Sequence, residues 1–182
     1  PRLRPRSRPA PPPVKMDTKE FLDKWTTQKV EDNQRDLLLY ALGIGCGEDP
    51  DSLRLCYEND GDFQVFPTYP LVLLFKGESY DVVSFPSPAM MEGPPLPPLP
   101  GIKVGLDGER YVEMIRPLDT AGGKLTVKSR LIGIHKRGTG ASVETEAIFS
   151  DEKGPLYRLV SGAFLVGAKD FKDSGVTNSE AV

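Results

Sequence analysis

The chain has 182 residues, enough for one domain or a small domain with tails. With glycine counted and tyrosine left out, apolar residues make up about 45% of it, an ordinary value for a globular protein. The net charge is −3, divided into +5 on residues 1–16 and −8 on the rest. An acidic body argues against nucleic acid as the main partner. The longest apolar run, Leu71–Phe75, is far too short to span a bilayer.

Two cysteines and one histidine leave little material for disulfide or metal chemistry. Cys46 and Cys56 form no CxxC pair and cannot build a disulfide framework, which favours two reduced thiols. His135 alone cannot supply a site with several histidine ligands. We therefore expect no metal ion.

Residues 1–16 contain six prolines and no acidic residue. Proline removes amide donors and fixes φ, so this density excludes both helix and sheet. The composition predicts a disordered, basic, proline-rich tail. An Arg-rich, acid-poor targeting segment is the functional alternative, but such segments form amphipathic helices, which these prolines prevent.

Two helices are predicted next. Thr18 is the candidate cap of a short helix with Phe21, Leu22 and Trp25 on one face. A second helix is predicted over Glu31–Leu42, capped by Asn33 and ended by the glycines of Gly43–Gly47. Its inward residues are expected to be Leu37, Leu38, Ala41 and Leu42.

The following segment is less regular. Leu53–Tyr57 and Phe63–Phe66 alternate well enough to predict two short strands. Leu71–Phe75 is either a buried helix or a buried strand, because a five-residue apolar run has no diagnostic period. Gly77–Gly101 holds seven prolines and is predicted to be a loop.

The remainder predicts antiparallel sheet. Alternation and turn residues indicate strands over Arg110–Pro117, Leu125–Lys136, Val143–Phe149 and Leu156–Val166. Consecutive strands with short turns form a meander, and a meander can curve around one helix. The fold class predicted from the residues is α+β, with a curved antiparallel sheet packed on a helix. Residues 168–182 are small and polar and are assigned to a tail or linker.

The order of several short motifs resembles the amino-terminal half of 2-enoyl-CoA hydratase 2, a MaoC-like family that includes the hydratase part of peroxisomal multifunctional enzyme type 2. The motifs are Tyr40–Gly45, Leu53–Glu58, Asp62–Phe63, Phe66–Tyr69, Gly108–Tyr111, Arg116–Leu118, Gly138–Ala141 and Phe164–Gly167. The resemblance runs from about residue 21 to 167. It implies a hot-dog domain over residues 17–167, the non-catalytic first repeat of a double hot-dog, with Pro67–Phe75 in the wrapped helix.

The resemblance also implies an activity for the parent protein. Family members are (R)-specific hydratases of fatty acid beta-oxidation that add water to trans-2-enoyl-CoA and give (3R)-hydroxyacyl-CoA. Their Asp and His lie in the second repeat, in a Gly-Asp-x-Asn-Pro-x-His pattern. Here Gly61-Asp62 is followed by Phe63, and Gly47–Pro50 also fails the pattern. We expect His135 to be a half-exposed structural residue, no catalytic residue in this chain, and no activity of the chain alone.

The resemblance implies that this half binds the substrate, in space opened by a shortened helix. The candidate pocket residues are Phe66, Pro67, Thr68, Tyr69, Leu71, Val72, Met90 and Met91. For each of them, ordinary core packing is the alternative. Arg110 and Lys103 are conceivable neighbours of the CoA phosphates, although no spacing supports them.

The implied partners are acyl-CoA, as substrate and not as cofactor, and a second hot-dog repeat or a catalytic subunit. A homodimer is expected, because open sheet edges favour pairing. The implied compartment is the peroxisome, with mitochondrion and cytoplasm as alternatives. Two other functions stay open: a stand-alone non-catalytic subunit of a dehydratase, and a hot-dog acyl-CoA thioesterase. The thioesterase ranks lower because Pro67–Tyr69 stands where it needs an acidic residue.

Overall fold

The computed structural model describes residues 15–47 and 49–175. The strands are β1 Thr26–Asn33, β2 Val104–Met114, β3 Gly122–Arg137, β4 Gly140–Asp151 and β5 Gly154–Val166, and the α-helices are α1 Gln34–Gly43, α2 Leu53–Cys56 and α3 Pro70–Lys76. Short 3-10 helices cover Lys19–Phe21, Pro50–Ser52 and Pro88–Glu92. The strands form one antiparallel sheet in the order β1-β3-β4-β5-β2, which confirms the predicted α+β class. The predicted disordered tail lies outside the described residues as far as residue 14.

The meander β3-β4-β5 follows the sequence prediction closely. Alternate residues of β4, from Ala141 to Phe149, face the helices and pair with the inward residues of β3 and β5. Two-residue turns at 138–139 and 152–153 join the three strands. The strand predicted over Arg110–Pro117 begins earlier and ends earlier, because Val104 already pairs with Val166.

Strand β1 corrects the predicted start of the second helix. Glu31 and Asp32 belong to β1, which pairs with β3 from Thr26 opposite Ser129 to Asn33 opposite Gly122. Asn33 nevertheless caps α1 as predicted, since its side chain accepts from the Asp36 amide and the Asp36 carboxylate accepts from the Asn33 amide.

The inward face of α1 is narrower than predicted. Leu37 and Ala41 are buried, Leu38 is half-buried, and Leu42 is exposed. The helix therefore contacts the core through one short stripe rather than through four residues.

Two predicted short strands are wrong. Leu53–Cys56 is the helix α2, started by the turn that Asp49 and Pro50 form. Phe63–Phe66 is an irregular segment, tied to α2 by the Gln64 amide, which donates to the Arg54 carbonyl. Neither segment lies at a sheet edge, so neither has a strand to pair with.

The predicted helix after Thr18 is a single 3-10 turn, Lys19–Phe21. The Thr18 hydroxyl does not cap it, because that hydroxyl donates to the Lys172 carbonyl across the chain. Trp25 lies outside the turn, 44% exposed, with the guanidinium of Arg130 4.6 Å from its ring centroid.

The segment after β5 packs against the sheet as far as Gly175, although its composition indicates a tail. Phe171 is 1% exposed in a core cluster with Leu131 and Ile134. Ser174 and Ile134 exchange two hydrogen bonds, from the Ser174 amide to the Ile134 carbonyl and from the Ile134 amide to the Ser174 hydroxyl. Met16 pairs with Phe171 in an isolated bridge. We call residues 168–175 the strap.

The sheet has one covered and one open edge. The outer side of β1 is covered in part, because the Glu31 amide donates to the Gly77 carbonyl and Gln28 Nε2 donates to the Ala89 carbonyl. Within residues 15–47 and 49–175, strand β2 pairs only with β5, and it is exposed along most of its length. In the described part of the chain, no helix is long and apolar enough to cross a membrane.

Candidate functional site

The aromatic segment before α3 packs around Tyr40 of α1. The Tyr40 ring lies edge-to-face with Phe66 and with Tyr69, at centroid distances of 6.0 and 5.5 Å. The Tyr40 hydroxyl is hydrogen-bonded to Thr68 Oγ1 at 2.8 Å. The structure thus brings together three of the predicted pocket residues, with Tyr40 as their common contact.

Helix α3 presents the next two predicted residues to the core. Leu71 and Val72 are half-buried and pack against the main apolar cluster around Leu73 and Tyr69. Pro70 begins the helix, where its missing amide donor is tolerated. The helical form of the Leu71–Phe75 run confirms the choice of helix over strand that the family resemblance favoured, but the helix begins at Pro70, and the predicted start at Pro67 is wrong.

The two predicted methionines lie elsewhere. Met90 and Met91 belong to the 3-10 helix Pro88–Glu92, which meets α3 at its carboxyl end, where a Cβ on Gly77 would lie 2.9 Å from the Ala89 Cβ. A seven-residue helix is about 10 Å long, so this is the opposite end from Phe66. Met91 is 79% exposed.

A cavity of about 400 Å³ lies between the segment 63–67 and the carboxyl end of β2. Its apolar lining consists of Phe63, Val65, Pro67, Met114, Pro117, Leu118 and Tyr157. Of the predicted pocket residues only Pro67 contributes. Met114 and Tyr157 were missed, although they face each other in the β2–β5 register. An extended apolar ligand fits this lining better than a charged one does.

A second cavity, of about 350 Å³, has a charged lining. It is formed by Asp32, Lys124, Asp151, Glu152 and Lys153, with Leu118, Leu125 and Leu156 behind them and the turn residues Asp119, Gly122 and Gly123 at one side. Its walls carry more acidic than basic side chains, which is unfavourable for an anionic ligand.

Asp32 is the buried acid of that second cavity, 4% exposed. Its Oδ1 accepts from the Gly123 amide at 2.8 Å, whereas Oδ2 has no hydrogen-bond partner among the described residues. Burial raises the pKa of Asp32 to about 6. Burial also raises the pKa of the Tyr69 hydroxyl, and the charge of Asp32 raises it further. That hydroxyl likewise has no partner in the described part of the chain.

His135 is buried, not half-exposed as predicted. It is 6% exposed, with Nε2 3.5 Å from Glu144 Oε2 and Nδ1 3.4 Å from Asp173 Oδ1. The strap causes this burial, because Asp173 also accepts from the amides of Lys136 and Gly175. The sequence alone does not predict the burial of His135, because this burial depends on the strap folding back over β3.

Chemically, the His135 group is a histidine held between two carboxylates. It lines neither of the two cavities described above. Among the described residues, no group of three His, Cys, Asp or Glu side chains is arranged to hold a metal ion.

Comparison with known proteins identifies the class. A MaoC-like dehydratase from Phytophthora capsici matches with a TM-score of 0.78 and 39% identity, over 88% of this chain and 53% of that one. The curved sheet packed on α3 is therefore a hot-dog domain of the MaoC-like hydratases and dehydratases. The family model "MFE-2 hydratase 2 N-terminal domain" matches residues 31–167. The chain belongs to this family.

Two curated relatives agree. A probable dehydratase NIT22 of Ajellomyces capsulatus is 36% identical over 130 residues, 68% of this chain and 34% of that protein. The peroxisomal multifunctional enzyme type 2 of Drosophila melanogaster is 34% identical over 149 residues, 78% of this chain and 23% of that protein. The chain thus spans about a third or less of the length of these relatives.

Proposed function

We propose that this chain is the substrate-accommodating, amino-terminal half of an (R)-specific trans-2-enoyl-CoA hydratase in fatty acid beta-oxidation. The parent enzyme adds water to trans-2-enoyl-CoA and forms (3R)-hydroxyacyl-CoA, with the Asp and His that activate water supplied by a second hot-dog repeat or subunit. The membership in the hydratase 2 amino-terminal family supports this proposal, and the apolar cavity beside β2 is the observation that carries it.

In this proposal the acyl chain lies in the cavity. Phe63, Val65 and Pro67 form one wall, and Met114 with Tyr157 forms the other. These residues bind by excluding water from the acyl chain, each buried methylene contributing about 0.8 kcal/mol. The Tyr40–Thr68 hydrogen bond holds the segment that carries the first wall.

The open edge β2 supports the need for a second unit. Along it, Val104, Leu106, Tyr111 and Met114 are each between 43% and 55% exposed. We propose that β2 and the side chains beside it are covered by the catalytic repeat or by a partner subunit, and that the isolated chain forms a homodimer. The peroxisome is the proposed compartment, since several relatives carry that location in their names.

Acyl binding is tested by filling the cavity. Met114→Trp should weaken binding of trans-2-decenoyl-CoA, measured by isothermal titration calorimetry, by about tenfold or more. Leu106→Trp is the matched control, because it lies on the same strand at similar exposure outside the cavity. If both variants bound the acyl-CoA as tightly as the unchanged chain does, the acyl chain would not lie in this cavity.

Whether this chain is part of a larger hydratase is tested on the native gene product. Its intact mass and its hydration of trans-2-enoyl-CoA are measured together. A mass well above that of 182 residues, with (3R)-hydroxyacyl-CoA formed, supports the double hot-dog enzyme. A mass of about 20 kDa without activity favours the non-catalytic subunit. Full turnover by this chain alone would overturn both.

A further inference from the structure

One corner of the sheet carries four basic residues, which come from three segments. The β3–β4 hairpin contributes Lys136 and Arg137 beside Gly138–Gly140, the start of β2 contributes Lys103, and the strap contributes Lys169. All four are exposed. We call this set the basic corner.

Backbone contacts hold the three segments together. Arg137 pairs with Gly140, and Gly140 pairs with Val166 on the next strand. The Lys103 amide donates to the Val166 carbonyl at 2.9 Å, and the Gly167 amide donates to the Thr139 carbonyl at 2.8 Å. The basic corner is therefore built by the sheet itself.

Gly101 and Gly167 bring two of the lysines close to each other. Both glycines have positive φ, and their backbones cross so closely that a Cβ on Gly101 would lie 2.6 Å from the Gly167 carbonyl. The same Cβ would lie 3.1 Å from Lys169 Cγ, and one on Gly167 would lie 3.2 Å from Lys103 Cγ. The stems of Lys103 and Lys169 thus flank one crossing.

The charges of the basic corner are not neutralised by ion pairs. Among the described residues none of its four members forms a salt bridge. The Lys136 ammonium lies 5.6 Å from the Phe171 ring centroid, which leaves its charge in place. Two acids are nearby. Asp170 is exposed, and Asp173 is engaged with His135 and the Lys136 amide.

This concentration is unusual in a chain of net charge −3. Leaving the four cations out gives −7 for all other residues together. The acidic surface elsewhere repels an anion, and the basic corner attracts it. This contrast increases the selectivity of anion binding at the corner. Arg137 offers the planar guanidinium that suits phosphate oxygens, and Thr139 places a hydroxyl donor at the hairpin tip.

We propose that the basic corner binds a ligand that carries at least two phosphate groups. It lies at the opposite end of the β2–β5 pair from the acyl cavity, ten residues or about 33 Å along the strand. The site therefore goes beyond the proposed hydratase role and does not depend on it. A soluble diphosphate and a phospholipid headgroup that carries two phosphate groups present the same chemistry.

Two probes distinguish these sources: inorganic pyrophosphate, titrated by calorimetry at low salt, and phosphatidylinositol 4-phosphate in phosphatidylcholine vesicles, assayed by co-sedimentation. Arg137→Ala and Lys169→Ala should each weaken binding about tenfold. Arg54→Ala and Lys128→Ala are the matched controls, being exposed, equal in charge change and remote from the corner. They should leave binding within about twofold, and added salt should weaken it.

Pyrophosphate binding with this pattern supports a soluble ligand, and vesicle binding with this pattern supports a lipid surface. Loss of binding that is equal in the corner variants and the controls would reduce the effect to net charge and overturn the proposal. Failure of both probes to bind at low salt would overturn it as well. No outcome involves a thioester, so the result is separate from the test of the acyl cavity.

Discussion

Arg130 holds the carboxylate of Glu146 through two donors, with Nε 2.7 Å and the terminal nitrogen 2.6 Å from Oε2. The other oxygen of Glu146 accepts from Arg158 Nε at 2.7 Å. Glu146 is 3% exposed and lies at the centre of the sheet face that points away from the helices. Two arginines from β3 and β5 thus share one buried acid, and each also contacts a more exposed carboxylate, Asp23 at 2.9 Å from Arg130 and Glu113 at 3.5 Å from Arg158.

Glu146→Ala should destabilise the fold by about 1–3 kcal/mol, because it removes the buried acceptor that the two guanidinium groups share and leaves them with more exposed carboxylates. The measurement is the free energy of unfolding in urea. Glu109→Ala removes an equal charge from an exposed position on β2 and should change that free energy by about 0.5 kcal/mol or less. A similar loss in both variants would contradict the buried role of Glu146.

Asp32→Asn should stabilise the protein at neutral pH. The folded-state pKa of Asp32, about 6, lies above the ordinary value of 3.8, so the folded protein favours the neutral acid. Ionised Asp32 therefore lowers stability as the pH rises from about 4 through 6, by up to about 3 kcal/mol. The variant should gain that amount at pH 7.5 and nothing at pH 4.

Thermal unfolding across this pH range checks the effect of Asp32. The exposed Asp62→Asn is the control and should show no pH-dependent gain. If the stability difference between Asp32→Asn and the unchanged chain were constant with pH, the buried carboxyl would not titrate as described.

Gly122→Ala should be strongly destabilising, and Gly123→Ala should be tolerated. Gly122 has φ +81°, and a Cβ there would lie 2.5 Å from the Asp32 carbonyl. A Cβ on Gly123 meets nothing within 4 Å. We expect a loss of more than about 1 kcal/mol for the first and a clearly smaller change for the second, measured by urea unfolding. The reverse order would contradict the β1–β3 register.

Phe171→Ala should cost about 3–5 kcal/mol of unfolding free energy, since its ring is fully buried between the strap and β3. Phe85→Ala removes the same ring from a site that is 81% exposed and serves as the control. Protease digestion gives a second readout, because loss of Phe171 should expose residues 168–175 to cleavage first. An unchanged digestion pattern would count against the strap.

Tyr40→Phe should lower stability by about 1 kcal/mol, because it removes the hydrogen bond to Thr68 and keeps both ring contacts. Thr68→Val removes the other partner. The double variant should lose less than the sum of the two single losses, and the coupling energy measures the bond. Strict additivity would mean that the two hydroxyls do not interact.

The sequence was sufficient to predict the three strands of the meander, but not the elements that precede it in the chain. Alternation and turn residues located β3, β4 and β5 because each strand pairs with its neighbour in the chain. Strand β1 was missed, since Val30 is its only large apolar residue and its partner begins almost a hundred residues later. Leu53–Cys56 fits a strand or a helix equally well, and only the lack of a pairing edge decides.

The candidate site shows the same division. Of the contiguous segment Phe66–Tyr69 only Pro67 lines the apolar cavity, and a role of this segment in binding stays a prediction; helix α3 followed from the family resemblance. The sequence did not predict that Met114 and Tyr157 line the cavity, because their position opposite Val65 depends on the β2–β5 register and on the irregular segment 63–67. His135 was misjudged for a related reason, since the strap that buries it is polar in composition.

Strand β2 also carries a form of protection against unwanted association. Asp107, Glu109 and Glu113 place acidic groups along it, and the register shifts at Gly108, between Asp107 and Glu109. An extended peptide could add to the sheet at this edge only if it buried those charges and matched that irregularity. The exposed edge therefore combines apolar side chains with charges and an irregularity, which together discourage fibril growth and admit only a strand of matching shape.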